Sequence, residues 1–154
     1  MEFNVIIDSR EQKPLEFNSS AIDEIIVSKL DEGDYAIAGL EDKLCIERKA
    51  SFMEVYKNVT EKRFWSEVQR MANYKYKFLV CEFSMSDVDG FPHNTGLPKK
   101  IWSKLQVTPQ YVMMRLSEIQ VKYNIHVVFA GDRDNASYLV TNIMKRVYEA
   151  ENRP

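Results

Sequence analysis

Cysteine is scarce in this chain, with Cys45 and Cys81 alone among 154 residues. Each sits inside an apolar, strand-like run, and nothing around either has metal-ligand spacing. A disulfide framework is therefore not expected, and both read as small core residues of a reducing compartment. Long apolar runs are missing as well. None approaches the roughly 20 residues needed to cross a bilayer, and the opening Met1 to Asp8 is acidic and strand-like where a secretory leader would be basic and then apolar. An intracellular protein with no membrane partner is expected. Low-complexity tracts, internal repeats and linkers are also absent. Positive charge is in short supply, the formal net charge being −2. Because duplex binding draws much of its affinity from lysines and arginines that displace counterions, any DNA-binding surface must be a local patch.

What is present suits one packed unit. A 45% hydrophobic content with 8 Tyr, 8 Phe and 2 Trp supplies a sizeable core for a single domain over residues 1–154 and little room for a second. Phe3 to Ile7 reads as a strand that stops at Asp8-Ser9-Arg10. Ile25 to Val27 and Tyr35 to Ala38 read as further strands, the latter entered through Gly33-Asp34. A turn at Gly39 to Asp42 precedes another strand from Leu44, so a meander or hairpin is expected between Ile25 and Arg48. Phe64, Val68 and Met71 fall at helical spacing within Glu61 to Tyr74. Phe78 to Phe83 is a continuous apolar run broken only by Glu82, as in a buried central strand.

Ser84 to Lys100, rich in Gly, Pro, Asp and Asn, predicts a long irregular loop. Thr108 with Pro109 predicts a capped helix that buries Val112, Leu116, Ile119 and Tyr123. Ile125 to Ala130 reads as a last strand. A final helix, capped by Asp134 or Asn135, should turn Leu139, Ile143 and Val147 inward. Strands alternating with helices imply an α/β sandwich, a mixed central sheet with helices on both faces.

The chemistry concentrates on Leu44 to Lys49. Side chains alternate along a strand, so Glu47 and Lys49 share one face and Ile46 and Arg48 the other. The length of the intervening hairpin brings Asp34 opposite Glu47. Two carboxylates beside a lysine suit phosphodiester hydrolysis. Mg²⁺ takes one or two carboxylates and fills its other positions with water and phosphate, which makes Asp34 and Glu47 the candidate metal ligands. Lys49 can then orient the attacking water and offset charge in the transition state. Basic residues that could meet DNA are Lys99, Lys100 and Lys104, the set Lys57, Lys62 and Arg63, and Arg115 with Lys122. Phe91 and Trp102 flank the first set and could stack on exposed bases, Phe91 the better placed of the two.

Asp8-Ser9-Arg10-Glu11, then Gly33-Asp34-Tyr35, then Glu47-Arg48-Lys49 resembles the XPF/Mus81-type (ERCC4-domain) nucleases of the PD-(D/E)xK superfamily. Lys62-Arg63-Phe64 is similar to that family's arginine-bearing helix start, and Phe78 to Phe83 to its next core strand. The resemblance implies a restriction-endonuclease-like fold, Mg²⁺ or Mn²⁺ dependence and cleavage of branched, flapped or forked DNA. Asp8, Arg10, Glu11, Asp34, Glu47, Arg48 and Lys49 match its active-site positions. Arg10 and Arg48 would contact phosphate or pair with carboxylates inside the site. The resemblance also implies pairing with a second copy or a partner protein through the nuclease domain. No nucleotide cofactor is expected, nor is a helix-hairpin-helix module after Asn152.

Two positions depart from the family pattern. Met53 stands where an aspartate is usual, four residues after Lys49, and Glu67 stands where a glutamine is usual. Glu54 is adjacent to Met53, but one helical step turns a side chain by about 100°, so it reads as a poor substitute. Met53 and the acidic net charge keep open a non-catalytic module for DNA docking or partner pairing. A restriction-like enzyme on the same core is a third reading.

Overall fold

The computed structural model describes residues 1–154. In chain order the elements are β1 (Phe3–Asp8), β2 (Ile22–Ser28), β3 (Tyr35–Ile37), β4 (Leu44–Lys49), α1 (Phe52–Asn58), α2 (Lys62–Met71), β5 (Tyr76–Cys81), α3 (Met85–Asp89), a 3-10 turn at His93–Thr95, α4 (Lys99–Trp102), α5 (Pro109–Tyr123), β6 (His126–Phe129) and α6 (Arg133–Glu151). The strands form one mixed sheet in the order β2-β1-β3-β4-β5-β6. β3 runs antiparallel to both β1 and β4, while β1/β2, β4/β5 and β5/β6 are parallel pairs. No helix is long and apolar enough to cross a membrane.

The sheet has helices on both faces, and strand alternation divides the core accordingly. Cys45, Leu79 and Cys81 pack on one face with α1, α2 and α5 through Val55, Val68, Leu116 and Ile119. Leu44, Ile46 and Val80 pack on the other with α6 through Ala136, Val140, Met144 and Val147. Each aliphatic side chain buried this completely contributes about 1.5–3 kcal/mol, so both layers are needed to hold the central strands in register.

Several local expectations shift. Ile22–Ser28 is not part of a meander: it crosses to the far side of β1 and pairs with it in parallel, so only β3 and β4 form the hairpin. Edge placement explains why Ile25 and Val27 are exposed despite their apolar character. The segment Ser84 to Lys100 is not structureless, since α3, opened by a Ser84/Asp87 capping box, the 3-10 turn and the start of α4 divide it. Thr108 caps α5 as its sequence requires. The cap of α6 is Asp132, whose carboxylate accepts from the Asn135 N–H, and its buried stripe is Ala136, Val140, Met144 and Val147, so Val147 turns inward as expected while Leu139 and Ile143 lie on the flank.

Candidate active site

Three neighbouring strands converge where β1, β3 and β4 end or begin, and the backbone explains why. Gly33 has φ +83, and a Cβ there would lie 2.9 Å from Cys45 Sγ and 3.0 Å from the Ile46 carbonyl oxygen. Only glycine lets the chain press this closely against β4 in a left-handed conformation. The approach lets the Asp34 N–H donate to the Ile46 carbonyl at 2.7 Å. Pairing of Tyr35 with Ile46 then places Asp34 opposite Glu47, on the face shared with Lys49.

Asp34 Oδ2 accepts from the Arg48 N–H at 2.7 Å. Even so, burial, with Glu11 and Asp8 nearby, pushes its carboxyl up to about 7. Burial also raises Glu47 well above the carboxylate range, with the Asp34 charge adding to the effect and Lys49 opposing it. Two carboxyl groups are thus held together in a poorly solvated spot that disfavours the charge of both, an arrangement that costs stability. The Lys49 side chain is 6% exposed, with Nζ 3.6 Å from Glu47 Oε1, 3.6 Å from Glu54 Oε1 and 5.3 Å from the Phe64 ring centroid.

The remaining predicted residues brace this group. Arg10 donates from Nε to Asp8 Oδ2 at 2.9 Å and from Nη2 to both Asp8 Oδ1 and the Leu30 carbonyl, while the Leu30 N–H donates to Asp8 Oδ1 at 2.8 Å. Burial works to raise the Asp8 carboxyl, but the bonds from Arg10 and Leu30 outweigh it and hold it below its ordinary value. Arg48, on the opposite face of β4 from Lys49, donates to Glu11 Oε2 at 3.1 Å and Glu82 Oε2 at 3.0 Å. Glu11 also accepts from the Tyr35 hydroxyl at 2.8 Å, and that hydroxyl accepts from the Leu15 N–H. Both arginines are therefore engaged with carboxylates.

The expected DNA contacts divide. Arg63 is 88% exposed at the start of α2, touching only Glu67 at 3.4 Å, and Lys99 and Lys100 are exposed on α4. Phe91 is a correction. Its ring is buried, 6% exposed and packed against Phe52 and Tyr56 at centroid distances of 5.2 and 4.9 Å, which leaves too little open surface for a base to stack on. The aromatic side chains of α1 capture it. Trp102 is only partly buried and donates its indole N–H to the Leu97 carbonyl. Phe91 instead helps line a hollow of about 600 Å³ that opens beyond β4, bordered by Ala50, Ser51, Glu82 and Leu97.

Sequence reasoning gave no role to Glu82 or Tyr35, and it set Glu54 aside as a poor substitute for the family's aspartate. Glu82 had a signal, being the one charge in an apolar strand run. Glu54 is the clearer correction: its carboxylate reaches Lys49, and its Oε2 accepts from the Ala50 N–H at 2.9 Å. Helix α1 starts so close to the end of β4 that its first turn folds back over the strand, which strand and helix periodicity alone do not reveal. No group of three or more His, Cys, Asp or Glu side chains converges as a ready-made metal cage.

The ERCC4 domain model matches residues 7–143, which span every element of this site. The chain belongs to the ERCC4 domain family. Among solved structures, this ERCC4-domain chain is similar to XPF from Aeropyrum pernix, with a TM-score of 0.68 and 18% identity over 94% of this chain and 65% of that one. It is also similar to the complex of the Aeropyrum pernix XPF with DNA, with a TM-score of 0.70 and 17% identity over 99% of this chain and 68% of that one. The chain thus spans about two thirds of the length of these relatives, and at such identity the likeness is one of fold. No curated protein sequence matches it.

Proposed function

We propose that this ERCC4-domain chain is a divalent-metal-dependent DNA endonuclease that hydrolyses phosphodiester bonds at branched, flapped or forked structures. One observation carries the reading: the register of the β3–β4 hairpin sets Asp34, at its entry, opposite Glu47, and the Lys49 ammonium stands 3.6 Å from Glu47 Oε1. Two mutually repelling hard-oxygen donors suit Mg²⁺ or Mn²⁺, since such an ion needs only one or two carboxylates and leaves its other positions to water and phosphate. Such an ion supplies Lewis acidity and neutralises charge on the phosphate.

The chain's own groups do the rest. Asp34 and Glu47 would hold the ion, and Lys49 would orient the attacking water and offset charge on the phosphate oxygens. Arg48, tied to Glu11 and Glu82, fixes the pleat of β4 so that Glu47 and Lys49 keep to one face, and Arg10 with Asp8 anchors the end of β1. Exposed Arg63, Lys99 and Lys100 would meet the DNA backbone. A second copy or a partner protein would extend the footprint by docking on the last two long helices, where Tyr111, Met114, Val121 and Tyr138 are exposed. Gel filtration at micromolar concentration checks this, and a strict monomer would count against self-pairing.

Labelled fork, flap and plain duplex DNA, incubated with Mg²⁺ or Mn²⁺, test the main reading. The wild type should nick the branched substrates, and Asp34→Ala and Lys49→Ala should not. A wild type that cuts nothing with either metal would refute it. The non-catalytic reading is favoured by Met53, whose side chain packs against the core where the family pattern has a carboxylate. Mn²⁺ calorimetry separates the two, since a site lost in Glu47→Ala counts against a mere scaffold.

A further inference from the structure

Lys49 has two carboxylate neighbours, and the nuclease reading gives a task to only one of them. Nζ lies 3.6 Å from Glu47 Oε1 and the same 3.6 Å from Glu54 Oε1, beyond full hydrogen-bond length to either. The ammonium is therefore shared, and with 6% of the side chain exposed and the Phe64 ring beside it it has few other places to go.

Glu54 is itself fixed at two further points. Its Oε2 accepts from the Ala50 N–H at 2.9 Å, and its own N–H donates to Ser51 Oγ at 3.2 Å. Ala50 follows Lys49 directly, so the carboxylate is pinned to the peptide next to the lysine it pulls on. An ammonium with a single carboxylate partner in such a poorly solvated place would close on it into a tight, charge-assisted pair. Here that partner would be Glu47, and the pair would compete with any cation for the Glu47 oxygens.

Resting on the metal-nuclease reading above, we propose that Glu54 is a positioning residue that draws the Lys49 ammonium off Glu47. Glu47 then keeps its oxygens for a divalent cation, and Lys49 stays turned toward the substrate. A carboxylate on α1 takes this part although Met53, one residue earlier, is apolar and packs inward. Groups that hold a ligand's neighbour in place commonly change metal affinity or activity by about 10–100-fold when removed.

A helix cap would give the same contacts to Ala50 and Ser51 without acting on the site, and Glu54→Gln separates the two roles. Glutamine still accepts from the Ala50 N–H but no longer attracts the ammonium. The full chain and its Glu54→Gln, Lys49→Met and double variants are compared by thermal melting in chelator, by Mn²⁺ calorimetry and by nicking of labelled fork DNA. The expected result is an unchanged melting temperature for Glu54→Gln, Mn²⁺ affinity lower by about 10-fold, and a lower kcat with KM for DNA unaltered. In the Lys49→Met background the same substitution should change Mn²⁺ affinity by less than about 2-fold, because coupled effects vanish once the shared partner is gone.

Glu54→Gln equal to the wild type in affinity and kcat would overturn the proposal while leaving the nuclease reading intact. So would an undiminished loss of affinity in the Lys49→Met background, which would place the action of Glu54 on the cation rather than on the lysine. A wild type that neither binds Mn²⁺ nor nicks would remove the nuclease reading and this inference with it.

Discussion

Asp34 sits where its charge is least welcome, and that has a measurable price. Its folded pKa of about 7 lies above the ordinary 3.8, so the folded chain retains a proton that the unfolded chain releases between those values. Stability must then fall as pH rises through that window. In metal-free buffer, Asp34→Asn should melt at a higher temperature than the wild type at neutral pH, the gap shrinking toward pH 4, while nicking is abolished. Scanning calorimetry across the range checks both the sign and the window. Arg48 behaves in the opposite way. Its side chain is 8% exposed and holds Glu11 and Glu82 together, and Glu82 Oε1 already lacks a partner. Arg48→Met leaves both acids uncompensated and should cost about 3–5 kcal/mol in urea unfolding. At this scale the sequence was informative where chemistry and backbone coincide, as at Gly33-Asp34 and Glu47-Arg48-Lys49. It was silent on partners that only packing selects. Nothing local to Phe91 shows that Phe52 and Tyr56 cover its ring, or that a seven-residue helix turns Glu54 back toward Lys49.

The elements tell a similar story about range. Helices with their own caps and stripes, such as Pro109–Tyr123, were legible because their signals are local. The place of Ile22–Ser28 was not, since a short apolar run does not say whether it joins the strand after it or the one before. The β3–β4 hairpin depends on one tight approach, so Gly33→Ala, which forces a Cβ against Cys45 Sγ and the Ile46 carbonyl, should destabilise the fold by about 1–3 kcal/mol or more. It should also weaken Mn²⁺ binding by shifting Asp34 off Glu47. The last turn of α6 is tied to the sheet by Glu151, which accepts from Lys43 and Tyr76 at 2.6 and 2.9 Å and from Lys75. These bonds hold its carboxyl down at about 2. A depressed acid stabilises above its unfolded pKa and loses that contribution as pH falls through the folded one. The difference in urea midpoint between wild type and Glu151→Gln should therefore be constant above about pH 4.5 and close as pH falls toward 2.

For the molecule as a whole, a net charge of −2 means that attraction to DNA must come from where its cations lie rather than from their number. Lys62 and Arg63 begin the helix whose Phe64 touches Lys49, next to the site itself. Replacing Arg63 with Ala should lower the slope of log affinity against log salt by about one, as the loss of a single phosphate contact requires. A slope that does not change would place the backbone contacts elsewhere. The outer strand β2 has a different bearing on the molecule. It leaves one margin of the sheet open, with Ile25 and Val27 exposed along it, and such a margin is a template for another chain to add a strand. Asp23 and Glu24 stand on that same strand, exposed, and two charges at an edge discourage stacking. Charge of this kind guards an open edge against pairing with another chain, so solubility in storage, rather than cleavage, is what an Asp23→Asn/Glu24→Gln chain would be first to lose.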